Sequence, residues 1–407
     1  MSTQLLLWEW LDFAVRWVHV ITGIAWIGSS FYFIALDLGL RRHSNLPDEV
    51  KGEEWQVHGG GFYNIRKFMV APEQLPEQLV WFKWESYATW LSGFFLLAIV
   101  YYGGAELLLV DTFVLDIEPR FAIILSLASL ALGWVLYNLI CKFCEGSNDT
   151  LLMIGLFILL IGFSYAYCNI FSGRAAFIHI GALTATIMSA NVFFIIIPNQ
   201  KIVVADLIAG RKPDEKYGII AKQRSTHNNY LTLPVIFMML SNHYPLSFGA
   251  QYNWLIAGLV FLMGVSIRHY FNMSHAHKVK PYWAWVVTFV LFCAVIALST
   301  IRVPSVPLDE FSALHNKMQN DSTKVSFEEV NDVIISRCAM CHASEPLWDG
   351  FLSPPGGVVL ENQYHIVLNA KAIYLNAVLS NYMPPNNISY MEPQERELLR
   401  EWFETAF

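Results

Sequence analysis

Five consecutive residues, Cys338-Ala339-Met340-Cys341-His342, carry the most specific chemistry in the chain. Two cysteines three positions apart, followed at once by histidine, form the attachment pattern of c-type haem. Each thiol can form a thioether to one porphyrin, and the histidine then lies against the iron as an axial ligand. A low-spin electron carrier needs a sixth ligand, and a Met thioether raises its potential. Asn381-Tyr382-Met383-Pro384-Pro385 places Met383 in a proline-set loop 41 positions after His342, with Met391 as its competitor. A bare C-x-x-C is also found in zinc and redox sites. No second cysteine pair follows this one, so zinc would lack ligands.

Other reactive side chains lie inside or beside long apolar runs. Ionisable residues at such places are functional candidates by default. His19, after Arg16, and His179, after Arg174, sit at similar depth in two runs. Two imidazoles so placed are possible ligands of one haem b between helices, with the arginines facing its propionates. His243 is a rival ligand, and hydrogen bonding to a carbonyl is the plain alternative for either histidine. A second polar group gathers at the opposite ends of the runs. It comprises His58-Gly59-Gly60-Gly61-Phe62-Tyr63, Trp81-Phe82-Lys83-Trp84-Glu85, Gln223-Arg224-Ser225-Thr226-His227-Asn228-Asn229-Tyr230, Arg268-His269 and His275-x-His277. Arginine, paired amide edges and aromatic faces suit a planar, anionic, amide-rich ligand. A polar rim at the lipid headgroups is the competing reading. The glycine run permits close backbone approach but is no phosphate loop. Cys141-x-x-Cys144 lacks the following histidine and reads as two juxtamembrane thiols.

The elements that must position these residues follow from composition. Of 407 residues 55% are hydrophobic and 14% charged, fewer charges than a soluble protein of this size carries. The fold class read from this is all-α: a polytopic membrane helix bundle followed by a small class I cytochrome c domain. Eight apolar runs, at 11–35, 80–104, 120–141, 151–168, 175–197, 229–244, 252–272 and 281–301, have lengths near that of a bilayer-spanning helix. The sixth is short and broken by Pro234. The first is read as retained rather than as a cleaved leader, because Asp12 and Arg16 interrupt it. Basic residues concentrate after the first, third, fifth and seventh runs, which places both termini outside. The C-terminal domain then lies on the periplasmic side, where c-type haem is attached. The domains expected are 1–302 in the membrane, 303–325 as linker and 326–407 as the cytochrome c domain. Ser326-Phe327-Glu328-Glu329 reads as a capping box opening a helix into Cys338, and 392–405 as an amphipathic closing helix. From 303 to 407 there are 6 basic and 14 acidic residues, a balance of −8 against −7 for the whole chain, so the remainder is near neutral. An acidic face steers basic partners, although ordinary solubility explains it equally well.

Several longer blocks carry a resemblance. They are His19-x-x-x-Gly-Ile-Ala-Trp-Ile-Gly-Ser-Ser-Phe-Tyr, His58-Gly-Gly-Gly-Phe-Tyr, Trp81-Phe-Lys-Trp-Glu-Ser-Tyr-x-Thr-Trp-Leu-Ser-Gly, Asn191-Val-Phe…Ile197-Pro-Asn-Gln and Gln223-Arg-Ser-Thr-His-Asn-Asn-Tyr-Leu-Thr-Leu-Pro-Val…Ser241-Asn-His-Tyr-Pro. Over essentially its whole length the chain resembles the bacterial membrane-bound urate hydroxylases, eight-span proteins with a C-terminal cytochrome c domain. Cys338, Cys341, His342 and Met383 match that domain's motif. The first run also resembles that of the membrane protoporphyrinogen oxidases, which hold haem b by histidine. The resemblance implies oxidation of urate to 5-hydroxyisourate in a bacterial inner membrane. Electrons would pass through the chain's own haem c to a soluble cytochrome c or a terminal oxidase, and no nucleic acid is involved. Within that reading, chemistry makes His227 and Glu85 the base candidates and gives Gln223, Arg224 and Asn228 the purine. Two other classes fit the same residues: a quinol-oxidising electron conduit, and a non-catalytic membrane anchor or transporter carrying a cytochrome c.

Overall fold

A computed structural model describes residues 3–406 except 70–71, 73–74, 112–113, 145–148, 277–278, 301–324, 349–350, 352–353 and 381. The expected linker 303–325 therefore lies outside the described residues apart from Val325. The chain is mostly helical, with a helix at each of the eight expected positions. They are α1 (Thr3–Gly39), α2 (Trp84–Leu97), α3 (Pro119–Phe143), α4 (Asp149–Cys168), α5 (Gly173–Ala190), α7 (Glu215–Leu240), α9 (Asn253–His275) and α10 (Trp283–Thr300). The helix of α5 runs on through a wide turn at Asn191–Ile196 into α6 (Ile197–Ile208). Among the described residues, five stretches are long and apolar enough to cross a membrane: Trp10–Gly39, Pro119–Phe143, Thr150–Cys168, Gly173–Ile208 and Asn253–His275. The polar first half of α7 keeps it from qualifying on composition; α7 packs against α5, α6 and α9, while Glu215, Lys216, Ile219 and Lys222 are exposed.

Local chemistry explains the irregular places. Pro198 has no N–H to donate, so a regular helix through it would strand one carbonyl and clash with it. The wide turn just before Pro198 absorbs that defect, and such turns recur at functional sites. Pro234 does the same to α7, and α9 packs against the weakened turn. A Cβ on Gly264 would lie 2.5 Å from Pro234 Cδ and 3.1 Å from its backbone nitrogen. The main apolar core is built by Leu130 and Tyr137 of α3, Leu156 and Leu160 of α4, Phe177 and Ile187 of α5, and Ile256 and Phe261 of α9.

The all-α expectation needs one correction. β1 (Val50–His58) and β2 (Gly61–Phe68) pair antiparallel as a hairpin, with His58 opposite Gly61. The turn is Gly59-Gly60, with φ of 59° and 80°. Positive φ at both central residues is what a two-residue hairpin turn demands, so the glycines serve the turn and not a ligand. Trp55, Val57 and Phe62 project from it exposed.

The C-terminal residues form a separate small core. α11 (Phe327–Arg337) is capped by Ser326, whose hydroxyl accepts from the Glu328 N–H. It leads into α12 (Ala339–His342); α13 (Gln363–Leu368), α14 (Ala370–Ile373) and the amphipathic α15 (Pro393–Ala406) complete the domain. Arg337 of α11 grips Glu395 of α15 with both Nε (3.0 Å) and Nη2 (2.8 Å). Tyr374 stacks on Phe403 at 4.2 Å. This domain touches the bundle through Tyr382, whose hydroxyl accepts from Arg174 Nη1 (2.7 Å) and whose ring meets Phe248, in the one-turn helix α8 (Pro245–Phe248), edge-on at 5.5 Å. Asn386 adds a hydrogen bond to the Glu106 carbonyl.

Gly264→Ala would press a methyl into a ring that cannot rotate away. It is expected to cost about 1–3 kcal/mol, seen as a lower temperature for loss of helical circular dichroism. An unchanged melt would mean that α7 and α9 separate freely at this crossing.

Candidate active site

Residues at i, i+3 and i+4 share one face of a helix. On α7 that face carries Arg224, His227 and Asn228, all buried, and it meets Tyr137 and Asn138 of α3 and Asn191 at the start of the wide turn. Arg224 Nη2 donates to Asn138 Oδ1 (2.9 Å). Asn191 Nδ2 donates to the Tyr137 hydroxyl (2.9 Å) and to Asn228 Oδ1 (3.1 Å), and Asn228 Nδ2 donates to the Met188 carbonyl (2.9 Å). Tyr137 Oη stands 2.8 Å from His227 Nδ1. The hydroxyl already receives the Asn191 proton, so its own proton is best spent on His227 Nδ1. Neutral His227 then carries its hydrogen on Nε2. The guanidinium of Arg224 lies over the Tyr137 ring, 5.0 Å from its centroid. Cys141, one turn further along α3, lies against Tyr137 and Arg224.

Three polar atoms in this cluster are buried without a partner among the described residues: Arg224 Nε, Arg224 Nη1 and Asn191 Oδ1. Arg224 is 3% exposed and makes no ion pair with a described carboxylate. Each such atom costs roughly 1–3 kcal/mol, and an uncompensated buried charge costs more. Two donors with positive charge and one acceptor are the complement of a small anion with an amide-like edge.

The expected residues divide accordingly. Arg224, His227 and Asn228 come together. Gln223, one position round the helix, is half-buried and joins no hydrogen bond of the cluster among the described residues. Glu85 sits half-buried in the first turn of α2, where Thr89 donates to its carbonyl; its neighbour Ser86 bonds Ser189, and Glu85 itself does not reach His227 by a hydrogen bond. Tyr137, Asn138 and Asn191 join the site without having been expected there; Asn191 stood only in one of the blocks that carry the resemblance. The available signal was a phenol and two amides inside otherwise apolar helical runs, where each polar group must find a partner.

Of the two histidines placed inside apolar runs, His179 has both ring nitrogens engaged, whereas His19 bonds through Nδ1 and keeps Nε2 open. His179 is fully buried; its Nδ1–H donates to the Ala175 carbonyl (2.7 Å) and its Nε2 lies 2.7 Å from Ser126 Oγ. It is a satisfied core histidine. His19 donates from Nδ1 to the Thr89 carbonyl (3.0 Å) and lies flat on Gly93, where a Cβ would meet its Cε1 at 2.7 Å. His243 is exposed in a short 3-10 turn. A haem b between His19 and His179 thus does not fit this bundle.

The residues of the C-x-x-C-H motif do fit a covalent haem. His342 donates from Nδ1 to the Val358 carbonyl (2.8 Å), which fixes the ring and leaves the Nε2 lone pair for a metal. Both thiols are free, and burial pushes the Cys338 thiol up to about 12. Among the described residues no group of three His, Cys, Asp or Glu could hold a metal ion. The Met383 backbone is held from both sides: its N–H donates to the Asn376 carbonyl (2.7 Å) and its carbonyl accepts from Arg396 Nη1 (2.9 Å). Met391 is fully buried in the domain core, whereas Met383 is half-buried at the core's edge.

The fold is therefore a bundle with several helices of membrane-crossing length and apolarity, enclosing an unneutralised cationic cluster. Residues 5–299 match the family model described as "Urate oxidase N-terminal", and the chain belongs to that family. The match covers the bundle with α1 to α10 and ends before the C-terminal domain. No curated protein and no solved structure gives a match.

If the two Arg224 N–H groups are unpaired in the ligand-free protein, Arg224→Met removes a cost. The variant is expected to melt no lower than the parent. A loss of about 3–5 kcal/mol, the usual result of breaking a buried ion pair, would show that Arg224 already has its counter-charge.

Proposed function

We propose that the chain is a urate hydroxylase. Family membership supports action on urate. The observation that carries the substrate placement is the pairing of a buried, unneutralised Arg224 with the orphaned Asn191 oxygen. Urate at neutral pH is a flat monoanion edged with N–H and C=O groups. Arg224 Nε and Nη1 would receive its anionic edge, and Asn191 Oδ1 would accept one of its N–H protons. The reaction is urate monoanion plus water giving 5-hydroxyisourate, two electrons and one proton. Water adds to the carbon left electron-poor by the oxidation. As the water gives up a proton, Tyr137 accepts it at Oη while passing its own to His227 Nδ1. His227 is therefore the base, acting through Tyr137. Glu85 has no part in this relay.

Cys338 and Cys341 would hold haem c covalently, with His342 and Met383 as axial ligands. When bound there, haem c supplies a one-electron acceptor for onward transfer to a soluble cytochrome c or terminal oxidase. We read the bundle as eight spans of a bacterial inner membrane with both ends periplasmic, a reading supported by the basic loops. Arg174, which meets the C-terminal domain, and Asn191, in the cluster, lie 17 residues apart along one helix, about 25 Å at 1.5 Å per residue. Substrate chemistry and electron exit then sit toward opposite ends of the bundle.

The test is anaerobic reduction of the covalent haem by urate in purified membranes. Arg224→Met is expected to raise the urate concentration for half-maximal rate by at least tenfold, since a hydrogen bond to a charged group is worth about 1.5–3 kcal/mol. Dithionite should still reduce the haem fully. Tyr137→Phe keeps the ring under Arg224 but breaks the relay, and should slow reduction by about 10²–10⁴-fold with little change in the urate concentration required. Reduction by quinol but not by urate would replace this reading with that of a quinol-oxidising conduit. Normal kinetics in both variants would move the substrate elsewhere.

A further inference from the structure

A second buried guanidinium lies on the neighbouring face of α7. Arg268 of α9 is 6% exposed, and no described carboxylate pairs with it. Its Nε donates to Asn229 Oδ1 (3.3 Å) and its Nη2 to Asn272 Oδ1 (3.1 Å). Asn272 Nδ2 donates to the same Asn229 oxygen (2.9 Å). The guanidinium carbon stands 3.9 Å from the centroid of the Phe31 ring on α1. Two amide oxygens and an aromatic face steady the cation but do not neutralise it. Asn229 is 0% exposed, and its Nδ2 is left without an acceptor among the described residues. A fixed positive charge beside an orphaned N–H is a site for an anionic oxygen.

A cavity opens further along the seam of α1 and α9. It has a volume of about 480 Å³ and is lined by Ala35 and Gly39 of α1, Ser274 and His275 of α9, Arg41, and hairpin residues including Trp55 and the carboxylates Glu53 and Glu54. Phe31, Ala35 and Gly39 recur every four residues on α1; Arg268, Asn272 and His275 follow one face of α9. The cavity thus lies about two turns beyond Arg268 along the seam between the two helices. On the inner side, Asn229 is the residue next to Asn228 of the Arg224 cluster. The two cationic groups, Arg224 on α7 and Arg268 on α9, thus meet adjoining faces of α7.

We propose that Arg268, Asn229 and Asn272 form a second anion site, which holds the oxopurine monoanion between the cavity and the Arg224 cluster. Arg268 supplies the charge, and Asn229 Nδ2 donates to a ligand oxygen. Phe31 keeps the guanidinium plane in place. The identity of the ligand rests on the urate reading above; the presence of a second site does not.

Equilibrium dialysis of radiolabelled urate tests this on the full chain in detergent, anaerobic and fully reduced by dithionite so that no turnover occurs. The parent should bind two equivalents, and Arg268→Gln and Arg224→Gln one each. Asn229→Asp is the variant that guards against misfolding, because it puts a carboxylate beside Arg268. It should bind one equivalent and melt no lower than the parent. One equivalent in the parent, lost in Arg224→Gln and kept in Arg268→Gln and Asn229→Asp, would overturn the second site and leave the substrate placement standing. One equivalent lost only in Arg268→Gln and Asn229→Asp would overturn the two-site arrangement and the Arg224 placement together. No binding by the parent would reject both.

Discussion

A buried cation must be matched by an anion, and α7 buries Arg224 without one. Much of the surrounding architecture is arranged around that demand. Asn138 occupies one guanidinium edge, Tyr137 lies under its face, and Asn191 and Asn228 tie the phenol and the neighbouring backbone together. The wide turn at Asn191–Ile196 sets Asn191 where an ordinary helical residue would already be committed to packing. In a buried site each unpaired group carries its full desolvation cost until a partner completes it. The cost is borne by the packing of α3, α4, α5 and α9, which meet in the large apolar core beside the cluster.

The polar groups of the bundle fall into two kinds. Around His179 the chain Tyr102, Ser126, His179 and the Ala175 carbonyl is closed, each member both giving and receiving where it can. Closed networks of this sort hold helices in register and offer nothing to a ligand. Around Arg224 and Asn191 the network is open. Burial alone does not separate the two kinds, since His179 and Asn191 are both fully enclosed. Counting the unused donors and acceptors does.

The eight helices are readable from apolar run lengths, because a helix that packs its side chains into an apolar bundle needs a long apolar run. The hairpin escapes that reading, although Gly59-Gly60 between two strand-like stretches signals it; the glycines suggest ligand space until their positive-φ turn is seen. Within the site, Arg224, His227 and Asn228 are legible because they fall on one stripe of one helix. Tyr137 and Asn191 come from helices far off in sequence, and no spacing rule links them to α7. The same limit explains His179. Its sequence neighbours suggest a ligand, but Ser126, which occupies its Nε2, lies 53 positions away.

Tyr382 seats the C-terminal domain on Arg174 and Phe248, and the next residue is Met383. One loop thus serves both as the footing of the domain and as the mount of a candidate iron ligand. Asn376 and Arg396, which clasp the Met383 peptide, belong to the same small domain, so that peptide keeps its shape whatever Tyr382 does. What Tyr382 governs is the standing distance: its grip on Arg174 and Phe248 sets how near the candidate ligand is held to the bundle.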